Sequence, residues 1–281
     1  MIATDQQGWA QAKLRADVGG ADIAYVDIAG TVNPGERPAL VLVHGFTDTS
    51  RSFSLMAPHL EGHRLIIPDL RGHGASPAGR GGLSPADFAA DIAGLIEALR
   101  LRRPVLVGHS LGSMVAIETA AAHPNLLSGL VVLAGTLRPE FADDHPMVTG
   151  VGGLRDPISS ADPFYDYWHA CEAEVSPEFL MMAAREASAM PAALWRAILE
   201  QVRRTDLTAS ARALRVPTLI IGGGRDPLFD ATHQQRLRDE IAGAAFVSAE
   251  NRGHNPHWED PALVARAIAT HFELRAPRAV A

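Results

Sequence analysis

Cysteine is nearly absent: Cys171 stands alone among 281 residues, so no intramolecular disulfide can form. The first twenty residues also lack the basic start and apolar run of a secretory signal, and the expected compartment is the cytoplasm. Long apolar runs are missing as well. Stretches such as 39–43 and 129–134 fall far short of the roughly 20 residues that cross a bilayer, so no membrane partner is expected. Positive charge is in deficit, with 25 Lys and Arg against 32 Asp and Glu, which leaves no basic field to hold nucleic acid or an anionic lipid surface. No internal repeat or low-complexity tract occurs.

What is there suits one compact α/β domain carrying an insertion: 47% hydrophobic residues and 20% charged ones, over a length that buries a large core. Residues 39–43, 64–67, 104–107, 130–133 and 217–221 are short runs, β-branched or Leu-rich and each stopping at a Gly, Pro or Asp. Apolar character at every position, rather than at alternate ones, fits strands covered on both faces in a parallel sheet. Residues 84–101 carry Phe88, Ile92, Leu95, Ile96 and Leu99 at helical spacing, opened by Ser84-Pro85 with Asp87 three residues on, a capping signal. Two alternating segments in 13–29, broken by Gly19-Gly20, predict an antiparallel hairpin leading into the sheet. The alternation of strand and helix stops across 137–209. There, helices are expected at 163–171, 177–188 and 192–203, in a stretch rich in aromatic residues and methionine, and the segment is expected to form a helical cap. The core is then 1–136 and 210–281.

In such a sheet ligands bind beyond the carboxyl ends of the strands, so chemistry is sought there. Ser110 lies in Gly108-His109-Ser110-Leu111-Gly112, after the run 104–107 and before the Ala-rich helical stretch 111–122. A serine on so sharp a turn needs small neighbours, and its hydroxyl is lifted clear of the sheet. A serine hydroxyl needs a base, and the base needs an acid to orient it. His254 follows the apolar run 244–247 on a loop, and Asp226 follows the run 217–221 in a tight turn. Donors for an oxyanion are expected from the backbone N–H groups of Phe46, in His44-Gly45-Phe46 after the strand 39–43, and of Leu111.

Together with Asp69-Leu70-Arg71-Gly72-His73-Gly74-Ala75-Ser76, these motifs resemble the α/β-hydrolase superfamily, over about residues 26–272. The resemblance implies a mostly parallel eight-stranded sheet with flanking helices, a variable lid and no cofactor. It is nearest to small bacterial carboxylesterase-like members. Members that open epoxides or remove halides use an aspartate where this chain has Ser110, which argues against both activities. The order Ser110, Asp226, His254 is that of the superfamily.

Other features carry less. Asp69 and His73 read as fixing a strand-to-helix loop, and His254 with His257 lacks a third ligand for zinc, so no metal is expected. Gly222-Gly223-Gly224 lacks the Lys-Ser/Thr of a phosphate loop. The expected activity is cleavage of an ester-type bond in a small, apolar substrate. The alternatives are a lactone, amide or carbon–carbon bond hydrolase with the same triad, or a non-enzymatic small-molecule receptor. Trp168 is the expected pocket residue, and Arg155, Arg185 and Arg196 are candidates to hold a single carboxylate.

Overall fold

The computed structural model describes residues 6–31 and 37–272; the ends 1–5 and 273–281 of the expected core lie outside the described residues. Eight strands form one sheet: β1 Lys13–Val18, β2 Ala21–Ile28, β3 Leu40–Val43, β4 Leu65–Pro68, β5 Val105–His109, β6 Gly129–Leu133, β7 Thr218–Gly223 and β8 Ala245–Ala249. Their spatial order is β1-β2-β4-β3-β5-β6-β7-β8. β1 pairs antiparallel with β2, and β2 with β4; every other pairing is parallel. The fold is thus the expected α/β arrangement, eight strands and mostly parallel.

β3 to β7 are buried at every residue, which is why their sequences show no alternation. Alternate residues still serve opposite faces. Val41 and Val43 face a core holding Phe88 and Ile92 of α1 (Pro85–Ala98) and Met114 of α2 (Leu111–Ala122). Leu40 and Leu42 face a second core with Trp9, Phe53, Val264 and Ile268. Each fully buried side chain of this size contributes about 1.5–3 kcal/mol. α1 begins as its sequence directs: Ser84 Oγ accepts from the Asp87 N–H while the Asp87 carboxylate accepts from the Ser84 N–H.

Between β6 and β7 the chain is helical, with α3 Pro146–Gly153, α4 Phe164–Trp168, α5 Pro177–Ser188, α6 Ala192–Arg204 and α7 Thr208–Ala213. α3 was not expected, because Gly150, Gly152 and Gly153 disfavour a helix. It forms nonetheless behind Pro146, with Met147 and Val151 buried beneath it. α7 crosses the expected boundary at residue 209. Trp195 of α6 is fully buried, edge-on to Phe46 (5.8 Å), Phe164 (6.0 Å) and Tyr165 (6.3 Å), so these aromatics pack the helical segment onto the loop after β3. After β7 come α8 Ala231–Glu240 and, following β8, α9 Pro256–Glu259 and α10 Pro261–His271. Among the described residues no helix is long and apolar enough to cross a membrane.

Candidate active site

Ser110 joins β5 to α2 with φ 52° and ψ −117°, a left-handed backbone that costs a serine roughly 1–3 kcal/mol and persists only where the surroundings enforce it. The enforcement is visible at two glycines. A Cβ on Gly108 would lie 2.0 Å from the Gly112 carbonyl oxygen, and one on Gly112 would lie 2.2 Å from the Val43 carbonyl oxygen. Strand, turn and helix are therefore in backbone contact, and Ser113 Oγ closes the turn by donating to the Ser110 carbonyl (2.6 Å).

The turn presents Ser110 to the other two predicted residues. His254 Nε2 lies 2.9 Å from Ser110 Oγ, and His254 Nδ1 lies 2.9 Å from Asp226 Oδ2. All three are buried. Asp226 sits in the turn after β7, where its Oδ1 accepts the N–H groups of Leu228 (2.9 Å) and Phe229 (3.0 Å), leaving Oδ2 for the imidazole. Burial alone would raise the Asp226 carboxyl, but His254 and those two N–H donors outweigh it and hold it below its ordinary value. The glycines of Gly222-Gly223-Gly224 permit the approach, since a Cβ on Gly223 would lie 1.9 Å from the Gly253 carbonyl oxygen. A phosphate plays no part in that need for glycine.

Two histidines shape the loop after β3. His44 Nε2 accepts the Leu70 N–H (2.9 Å), so its proton resides on Nδ1, which donates to the Gly45 carbonyl (2.8 Å). Burial, with His73 beside it, pushes His44 down to about 3, and the ring stays neutral. In a trans peptide the carbonyl and N–H point opposite ways, so fixing the Gly45 carbonyl also fixes the Phe46 N–H. His73 Nε2 donates to the Phe46 carbonyl (2.7 Å). Leu111 opens α2, so its N–H has no partner within the helix. The remaining loop residues are structural: the buried Asp69 carboxylate accepts from Lys13 Nζ (2.7 Å), Ser50 N–H and Ala75 N–H (both 2.8 Å). Arg71 reaches Asp91 of α1.

A pocket opens beside Ser110 and His254. Phe46, Trp168 and Trp258 give it apolar walls, while Asp48, His109, His169 and Asn255 make the rest polar. Trp168 borders it, its Nε1 donating to Thr47 Oγ1 (2.8 Å). The wall is more polar than an apolar substrate calls for, and no methionine is among the described residues lining it. Nor are the candidate arginines: Arg155 and Arg196 donate to backbone carbonyls in and just after α3, and Arg185 lies against Met182. His257 does not share a ligand site with His254; it is fully buried, with Nε2 on Ser52 Oγ (3.0 Å).

Several further residues at the site have roles that their place in the sequence does not reveal. His109 Nε2 donates to the His254 carbonyl (2.9 Å), and the Glu259 carboxylate accepts the N–H groups of Gly253 (3.0 Å) and Glu172 (3.1 Å), tying the His254 loop to the helical segment. Asp48 keeps only 10% of its side chain exposed and accepts from Ser52 Oγ (3.1 Å); burial pushes it up to about 6. None of these has a sequence signal beyond proximity to a motif.

The sequence profile of the alpha/beta hydrolase fold matches residues 38–261. The chain is 26% identical over 258 residues to 2-(acetamidomethylene)succinate hydrolase of Mesorhizobium japonicum, covering 85% of this chain and 89% of that protein. It is 30% identical over 263 residues to 2-succinyl-6-hydroxy-2,4-cyclohexadiene-1-carboxylate synthase of Salmonella agona, covering 86% of this chain and 97% of that one. Among solved structures it superposes on an esterase of Exiguobacterium antarcticum with TM-score 0.79 at 19% identity, over 92% of this chain and 97% of the esterase. With a matching profile over most of its length and the sheet that profile describes, the chain belongs to the alpha/beta hydrolase fold family.

Proposed function

We propose that the chain is a serine hydrolase that cleaves an ester-type bond of a small molecule through a covalent acyl-enzyme. The observation that carries this reading is the unbroken hydrogen-bonded chain from Ser110 through His254 to Asp226, on a turn whose strained backbone presents the hydroxyl. Ser110 Oγ attacks the carbonyl carbon while His254 Nε2 takes its proton. The Asp226 carboxylate, fixed by two backbone N–H donors, keeps the imidazole in the tautomer with Nδ1 protonated and stabilises the imidazolium that forms. Negative charge gathers on the former carbonyl oxygen, where the N–H groups of Phe46 and Leu111 receive it; a single such donor is worth roughly 2.7–4 kcal/mol.

Collapse of the tetrahedral adduct expels the alkoxide, which takes the proton from His254 Nε2. Water then enters, gives its proton to the same nitrogen and attacks the acyl carbon; Ser110 leaves with that proton and the acid is released. The sequence of steps needs no cofactor. Residues 137–209 act as the cap, with Trp168 bounding the acyl pocket and the core made by the chain on either side. A dicarboxylate of the kind named for the Mesorhizobium relative is not the proposed substrate, since no Arg or Lys is among the described residues lining the pocket.

Turnover of p-nitrophenyl acetate, p-nitrophenyl butyrate, lactones and vinylogous diketones, with Ser110→Ala as the blank, tests the reading. Ester hydrolysis abolished in the variant is expected. Turnover confined to diketones or lactones changes the bond assigned, and slow single-turnover modification with a ligand-dependent partner returns the receptor reading.

A further inference from the structure

Asp48 and His109 meet beside the proposed nucleophile in an arrangement the reaction does not use. His109 is fully enclosed by protein, and that burial pushes it down to about 3, so the ring carries one proton. That proton is committed, because Nε2 donates to the His254 carbonyl (2.9 Å). The Nδ1 lone pair is left buried with no partner. It faces Asp48 Oδ2 at 3.8 Å, beyond hydrogen-bond reach. The lone pair and the carboxylate oxygen therefore oppose one another with no proton between them, and of the two only Asp48 has donors of its own, Ser52 Oγ (3.1 Å) and the Gly45 N–H. Gly45 keeps the place open, since a Cβ there would lie 3.0 Å from both Asp48 Oδ2 and His109 Nδ1.

Among the described residues no cation pairs directly with Asp48. Glu186 adds a second negative group nearby, itself paired with Arg51 (2.6 Å), and His254 is the facing base. His169, also in the pocket, is pushed by burial down to about 4 and stays neutral. His257 touches the carboxylate only through Ser52, and burial with His109 beside it keeps that ring neutral too. A substrate carboxylate at this wall would meet further acceptors and the Asp48 carboxylate; a group bearing N–H and positive charge would pair with that carboxylate and offer a donor to the unpartnered His109 Nδ1. The indole walls of Trp168 and Trp258 are compatible with a cation as well.

We infer that Asp48, backed by His109, is a specificity-determining subsite that selects substrates carrying an ammonium or other positively charged N–H donor close to the scissile carbonyl and rejects anionic ones. The inference rests on the serine-hydrolase reading for its place in turnover, but binding alone tests it. The probes are n-butylammonium, n-butanol and butane-1-sulfonate, titrated against the intrinsic fluorescence of the protein, in which Trp168 and Trp258 border the pocket. At pH 8 the ammonium binds at least tenfold more tightly than the alcohol, and the sulfonate more weakly than either. Asp48→Asn brings ammonium and alcohol within twofold of each other. In the wild-type protein, lowering the pH to 5 protonates Asp48 and cuts the preference at least threefold, an arm that needs no variant to fold. Equal affinities at pH 8, or a preference that survives both Asp48→Asn and pH 5, overturns the subsite. The two readings fail separately: charge-selective binding without turnover of any ester, lactone or diketone sinks the hydrolase, and turnover without charge selection sinks the subsite.

Discussion

Asp48→Asn has a consequence for stability that follows from burial alone. The Asp48 carboxyl is pushed up from 3.8 to about 6, chiefly by burial, so the folded protein holds an ionised carboxylate above pH 6 at a cost. That displacement corresponds to about 3 kcal/mol at pH 8, as an order of magnitude, and with 10% of the side chain exposed little is lost to solvent screening. Asparagine keeps an acceptor for the Ser52 hydroxyl and the Gly45 N–H, so the variant removes the charge and preserves the bonds. The sign is that of an acid with a raised folded-state pKa. Wild-type stability from this group is complete below pH 4 and is lost as pH rises through 6. The variant gains where the wild type loses: the difference in unfolding free energy, from urea melts at half-unit steps between pH 4 and 8, opens between pH 4 and 6 and then levels. A difference that is flat with pH, or a variant less stable than the wild type at pH 8, refutes the burial argument. A residue retained at such a cost fits a functional role, since sites of binding are where stability is commonly given up.

Three further outcomes follow from the same geometry. Asp226→Asn removes the acceptor that fixes His254 Nδ1, and kcat for ester hydrolysis falls about 10⁴-fold with little change in KM; a loss below tenfold is incompatible with the assigned role. Lys13→Met strands the fully buried Asp69 carboxylate and destabilises the protein by about 3–5 kcal/mol at pH 7 in urea melts. Asp69 is held below its ordinary value despite burial, because Lys13 and two backbone N–H donors outweigh it, so the deficit shrinks below pH 4; a pH-independent deficit contradicts this. Gly112→Ala drives a methyl to 2.2 Å from the Val43 carbonyl oxygen, a backbone atom that cannot swing aside, and the loss exceeds about 4 kcal/mol; a thermal midpoint within 3 °C of wild type on scanning calorimetry, well under the ~8 °C that such a loss implies, excludes that contact.

The parts of this architecture that sequence reveals are those governed by neighbours along the chain. The apolar runs of β3 to β7 reflect burial on both faces, and the start of α1 is written in Ser84, Pro85 and Asp87. Gly108 marks the turn because its contact is with Gly112 in the helix that follows, whereas Gly112 itself meets Val43 at the end of the distant β3. α3 was hidden because its glycines oppose helix formation, and only burial of Met147 and Val151 compensates for them. Asp226 and His254 stand out by their order and by the turns they occupy, whereas Asp48, His109 and Glu259 do not. Their roles depend on distant parts of the chain: His109 meets a carbonyl 145 positions away, Glu259 an N–H 87 positions away, and Ser52, which donates to nearby Asp48, meets His257 205 positions on. Pocket polarity was misjudged for the same reason. Of the aromatics in residues 137–209, Trp195, Phe164 and Tyr165 spend their surface on packing against one another and Phe46 rather than on the pocket.

The central claim is that Ser110 is the nucleophile, and covalent trapping tests it most directly. Incubation with a fluorophosphonate, followed by intact-mass and peptide analysis, is expected to add one phosphonyl group on the peptide containing Ser110. Labelling is expected to vanish in Ser110→Ala and to slow at least 10³-fold in His254→Ala, which lacks the base 2.9 Å from the hydroxyl. A stoichiometric label on Ser110→Ala, or on any other serine of the wild-type protein, contradicts the assignment.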